Sequence, residues 1–308
     1  ASDVYKRQVM GHYHDHSHHT PHIENINRAF IWGIGLNLAF VIVEAGAGLY
    51  LNSLALLSDA GHNLSDVVSL ILALFAFRLM KVKASVNYTY GYKKSTILVS
   101  LLNAIILLVA VGVIFSESIE KLKNPQPIEG NAIAWVAGIG IFINAFTAWL
   151  FFKDRKHDLN IKGAYLHMAA DTLVSVGVLI SGIIIQYTNW YMIDPIIGLV
   201  VAIVILISTW NLLHDSLRLS LDGVPVGINP DKIKTLILED NRVKEIHHLH
   251  IWAISTTQTA LTAHIVIDSF ADSQNLKCHL KEILRKANIQ HVTLEMELPG
   301  EHCDGNCC

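Results

Sequence analysis

Charge is what this chain has least of. Asp, Glu, Lys and Arg make up 16% of its 308 residues, where a soluble domain carries about 25%. With a net charge of −3 it has no basic excess to offer nucleic-acid phosphates, which excludes that class of partner. Cysteine is scarcer still. Cys278 stands alone, and Cys303, Cys307 and Cys308 crowd the far end beside His302. That is a poor disulfide framework but a handle for a soft metal, and it suits a reducing cytosol. What is abundant is apolar: 52% of the residues are hydrophobic, and they come in long blocks with few charges. Such a chain is neither disordered nor an ordinary water-soluble enzyme. It reads as an integral membrane protein carrying a soluble piece.

Six segments are long and apolar enough to cross a bilayer at about 20 residues each. They run over 29–50, 54–77, 95–118, 131–152, 163–187 and 193–213. An even number of spans leaves both termini on one side, and the basic residues say which. The 2–3 and 4–5 loops hold nine of them, Arg78, Lys81, Lys83, Lys93, Lys94, Lys153, Arg155, Lys156 and Lys162, against Lys121 and Lys123 on the other side. Basic loops stay in the cytoplasm, so both termini are expected there, in a bacterial inner membrane.

The expected organisation has five parts. Residues 1–9, ASDVYKRQV, have no apolar core of a secretory signal and read as a non-native leader ahead of a start at Met10. Residues 10–28 form a tail rich in histidine, with six of the chain's 17 histidines between His12 and His22, suited to collecting metal loosely. Residues 29–216 make the transmembrane bundle. Residues 217–298 read as α-β-β-α-β: a helix from Pro230 to Asn241 capped by Asn229, strands over 247–255 and 260–268, a helix over 273–287 and a strand over 291–298. Residues 299–308 are a Cys/His tail.

Ionisable groups within a span are expensive and by default mark function. Segment 2 contains His62-Asn-Leu-Ser-Asp66 and segment 5 contains His167-Met-Ala-Ala-Asp171. An i,i+4 spacing puts imidazole and carboxylate on one face of each helix. Both pairs fall well inside the hydrocarbon slab at ~1.5 Å per residue. Facing one another they make an N2O2 set that suits four-coordinate Zn²⁺. Protons compete for such ligands near neutral pH, so the set fits release as well as capture. Glu44 and Asp59 are expected to support it.

With these residues in view the chain resembles the cation diffusion facilitator family of zinc transporters. The resemblance rests on Ser58-Asp-Ala-Gly-His62-Asn-Leu-Ser-Asp66, His167-Met-Ala-Ala-Asp171, Thr89-Tyr-Gly91, Leu221-Asp-Gly-Val-Pro225 and His247-His-Leu-His250-Ile-Trp252. It implies an α-helical bundle of six transmembrane helices with a cytosolic α+β ferredoxin-like domain that dimerises. It also implies export of zinc, with cadmium or cobalt as further cargo, in exchange for protons. His62, Asp66, His167 and Asp171 are then the transport site, and Lys94 pairs with Asp222. Some members hold a further metal on His and Asp of the 2–3 loop; Lys81 to Ser95 contains neither.

The resemblance also implies regulatory zinc in the tail domain, on His247, His264 and Glu297. Strand alternation puts His248, His250 and Trp252 on one face, with local packing as their expected role. His279 and His291 are further ligand candidates. Two other classes compete. An intramembrane metalloprotease needs His-Glu-x-x-His and an open coordination position, and the chain has no such motif. A membrane-anchored metal sensor without transport needs the tail domain alone.

Overall fold

The structure, a computed structural model, describes residues 23–50, 54–123, 131–188, 190 and 192–300. The His12–His22 tract and the Cys303–Cys308 cluster lie outside them. Six long helices come first: α1 Ile23–Tyr50, α2 Leu54–Met80, α3 Ser95–Lys123, α4 Asn131–Phe152, α5 Leu159–Thr188 and α6 Ile193–Ser220. Among the described residues, three stretches meet both the length and the mean hydropathy of a span: Arg28–Ala47, Ser95–Lys123 and Pro195–Ser220. The two His-x-x-x-Asp pairs lie on α2 and α5.

The bundle is knit from neighbouring pairs, with α3 against α6, α4 against α5 and α1 against α2, while α2 and α3 also touch α5. Phe30 of α1 anchors one end. Its ring lies 4.8 Å from Phe151 and 5.7 Å from Phe77, in a cluster that also buries Leu70, Ile161 and Met168. Aromatic rings at such tilted, close spacings favour one packing, and this cluster fixes α2 and α5 on either side of the ligand pairs.

The tail domain has two layers. Helices α7 Pro230–Leu238 and α8 Ser273–Lys286 cover a sheet of β1 Val243–Ser255, β2 Gln258–Ile267 and β3 His291–Glu297. The order is β1-β2-β3, antiparallel then parallel. Ile237, Leu261, Ile265, Leu280 and Leu284 are the heart of its core. Asn229 caps α7 as expected, its Oδ1 accepting the N–H groups of Asp231 and Lys232 at 2.9 and 3.2 Å. The helix stops at Leu238 rather than Asn241, because Asp240 turns to accept the Arg242 N–H at 3.1 Å and its guanidinium at 2.7 Å. That guanidinium holds the Asp240 carboxyl down at about 2. β1 starts at Val243 rather than 247, since Val243 pairs with Ile267.

Bundle and tail meet at named contacts. Lys94 Nζ lies 2.7 Å from Asp222 Oδ1, and Ile97, Leu219 and Ala253 form an apolar joint with Leu159. Thr89-Tyr-Gly91 has a structural reason. Gly91, at φ +67°, makes a turn that a side chain would crowd against Val82 O, and Tyr90 then rests edge-on against His291 of β3. The turn between β1 and β2 reaches the bundle. Thr256 donates its hydroxyl to Asp158 and its N–H to Thr96 Oγ1 at 3.1 Å.

Candidate metal centres

The first centre lies within the bundle. Asp66 on α2 and His167 on α5 are both buried, and His167 Nε2 contacts Asp66 Oδ1. Asp171 Oδ2 lies 3.9 Å from the same nitrogen. The donor atoms of Asp66, His167 and Asp171 all lie within 4.8 Å of one another. Three of the four residues chosen from spacing alone are therefore brought together from two helices. The helix α2 places His62 one turn before Asp66, but the side chains of His62 and Asp59 lie outside the described residues.

Glu44, fully buried, accepts a hydrogen bond from Asn63 Nδ2 at 2.8 Å. Asn63 follows His62 directly, so this bond ties α1 to α2 beside the ligand stretch. That matches the supporting role expected of Glu44; the part played by Asn63 was not anticipated. An Asn inside an apolar block is the signal that marks it.

The second centre is on the tail sheet. His247 of β1 pairs with His264 of β2 across the ladder, and Glu297 closes β3 beside them. His264 Nδ1 contacts Glu297 Oε1, while His247 Nε2 lies 3.1 Å from Glu297 Oε2. These three donors also fall within 4.8 Å of one another. Glu295 Oε2 stands 3.4 Å from His264 Nε2 on the exposed edge. A carboxylate against two imidazoles is a donor set zinc accepts.

The alternation expected along β1 fails at this point. The register passes from His247 opposite His264 to His250 opposite Thr262, a bulge with one extra residue on β1. His248 takes φ +47° there, uncommon for a residue with a side chain. Its ring lies 5.2 Å from that of His247 and 5.1 Å from that of His264. His248 thus joins the metal face, and the extra residue brings His250 and Trp252, opposite Thr262 and Ala260, onto that same face. Of the further candidates, His279 sits 3.8 Å from Asp240 and His291 meets Tyr90 edge-on. Among the described residues neither joins the cluster.

The donor set within the bundle is mostly buried and the one on the tail sheet mostly half-buried, and each is grouped closely enough to hold a metal ion. Compared with known proteins, residues 30–219 match the cation efflux transmembrane domain and residues 225–298 the cation efflux protein cytoplasmic domain. The chain belongs to the cation efflux family, whose members are transporters rather than enzymes. It is 38% identical to a cadmium, cobalt and zinc/H(+)-K(+) antiporter of Bacillus subtilis, over 86% of this chain and 87% of that one. It is 33% identical to the zinc transporter ZitB of Escherichia coli, over 96% and 95%. It is 36% identical to the metal cation efflux system protein CzcD of Cupriavidus metallidurans, over 96% and 92%.

Proposed function

We propose that this chain exports zinc from the cytosol in exchange for protons, through a four-ligand site of His62, Asp66, His167 and Asp171. Cadmium and cobalt, named for its relatives, are competing cargo. The observation that carries the reading is the convergence of Asp66, His167 and Asp171 from two helices at a depth where unpaired charge is not tolerated. A divalent cation offsets two carboxylates there. Protons arriving from outside offset them in its absence, so each ion displaces the other from the same atoms. The excess of basic residues in the 2–3 and 4–5 loops supports placing both termini in the cytoplasm. The tail domain then holds regulatory zinc on His247, His264 and Glu297, and it contributes to a homodimer.

The test is zinc flux in sealed proteoliposomes across an imposed pH gradient. The parent chain is expected to move zinc faster as the gradient steepens, and the Asp66→Ala and Asp171→Ala chains to insert yet move none. Flux from the double mutant removes the site, and flux indifferent to the gradient removes proton exchange. No flux from the parent chain leaves the membrane-anchored sensor as the reading.

A further inference from the structure

Beside the Asp66–His167 pair, on the side facing the tail domain, lies a narrow cavity of about 10 Å³, with Ser69, Asn103, Gly163 and Met168 in its wall. That is room for about one water. Asn103 of α3 is 4% exposed and Ser69 of α2 is 6% exposed. Neither Asn103 Oδ1 nor Ser69 Oγ has a hydrogen-bond partner among the described residues. Polar atoms left bare at membrane depth are costly and normally find partners, so these two oxygens point to something that visits the cavity.

Gly163 argues the same way. A Cβ there would meet Leu212 Cδ2 at 3.5 Å and Asn103 Cβ at 3.8 Å, both ordinary contacts. Packing does not demand glycine, and helices are more stable with alanine. What glycine leaves out is a methyl group in the cavity wall, one turn from His167.

We propose that this cavity is the hydration station of the transport route. A divalent cation reaching Asp66 and His167 from the tail-domain side must shed water, and Asn103 Oδ1 and Ser69 Oγ stand in for the water it loses. Oxygen donors of this neutral kind hold a cation without trapping it. Asn103 and Ser69 are thus positioning residues for transfer, distinct from the ligands that define the bound state. The inference rests on the transport reading above.

The experiment uses the full chain in proteoliposomes, with initial zinc flux measured against zinc concentration. Equilibrium zinc binding is measured on the same preparations, with the Asp66→Ala/Asp171→Ala chain as the blank that isolates the intramembrane site. Gly163→Ala puts a methyl group in the cavity, Asn103→Leu replaces the amide with an apolar group of the same shape, and Asn103→Ser restores an oxygen. Asn103→Leu is expected to lower maximal flux about tenfold, the effect of one lost bond to a charged species, and Gly163→Ala to lower it by excluding the ion or its water from the cavity. Equilibrium zinc affinity is expected to stay within about threefold, since the ligands are intact. Asn103→Ser is expected to recover most of the flux. Parent-like flux from Gly163→Ala and Asn103→Leu overturns the station while leaving the transport reading in place. A parallel loss of equilibrium binding overturns it too, since the cavity would then only support the ligands. If Asn103→Leu fails to fold, Gly163→Ala decides alone. A parent chain without flux overturns both readings.

Discussion

Asp158 closes the junction between bundle and tail, and its removal has a magnitude that can be worked out. Its Oδ1 accepts the N–H groups of Asn160 at 2.7 Å and Ile161 at 3.1 Å, capping α5. Its other oxygen accepts the hydroxyl of Thr256, and the carboxyl is buried. Replacing a capping side chain with alanine costs about 1 kcal/mol, and losing a buried bond to a carboxylate costs about 2 kcal/mol more. Asp158→Ala is therefore expected to destabilise the chain by about 3 kcal/mol. Asp158→Asn keeps the capping oxygen and is expected to cost about 1 kcal/mol. In a chain of this size that is roughly 6 °C and 2 °C of midpoint respectively, read by tryptophan fluorescence on heating in detergent micelles. The two shifts have to differ. Equal losses from Asn and Ala, or an Ala chain within 1 °C of the parent, would refute the arithmetic. A pH dependence accompanies it. Burial outweighs those hydrogen bonds and pushes the Asp158 carboxyl above its ordinary 3.8. Folding then favours the protonated form, so this group's contribution is full below pH ~4 and declines as pH rises through the raised value.

Two further outcomes are expected. His62→Asp exchanges an imidazole for a second oxygen donor on α2, which suits a larger ion with longer bonds; the cadmium-to-zinc flux ratio should rise, and an unchanged ratio would remove His62 from selectivity. In the tail, the depressed Asp240 carboxyl stabilises the fold above pH ~4 and loses that contribution as pH falls toward about 2. Arg242→Leu should therefore move the acid-unfolding midpoint, followed by circular dichroism, to higher pH, and a midpoint that stays put contradicts the assignment.

What the amino-acid pattern made legible follows its periodicities. Two His-x-x-x-Asp pairs fall on one face of a helix whatever the tertiary structure, so Asp66, His167 and Asp171 were found without knowing how α2 and α5 meet. His247 and His264 were harder, because nothing local says that two strands align them, and the family resemblance named them. The face of His248, His250 and Trp252 was set apart from that of His247, and it is the same face for a physical reason. A strand's alternation predicts faces only while each residue is extended, and one positive φ at position 248 adds a residue that no hydropathy pattern registers. Asp158 and Asn103 went unread for another. The first lies in a loop whose charges were weighed for topology, and the second is one polar residue in an otherwise apolar span. Their roles come from neighbours more than fifty positions away, such as Thr256 and His167.

The stretch from Asp158 to Asp171 shows how much a single helix can be asked to do. Asp158 fixes where α5 begins, and its bond to Thr256 fixes that start against the tail sheet. Gly163, His167 and Asp171 follow at intervals of four, so they lie along one gently drifting stripe of the helix. Eight residues at ~1.5 Å each make that stripe about 12 Å long. It opens with the residue that leaves space against Asn103 and continues through the two that contact or approach Asp66 and one another. Because α5 is a rigid rod over that length, a displacement of its capped end is carried to the glycine and both ligands together. A variant at the junction that shifts α5 along its axis has to change the cavity and the donor set in step, whereas one that only lowers stability leaves their relative geometry as it was.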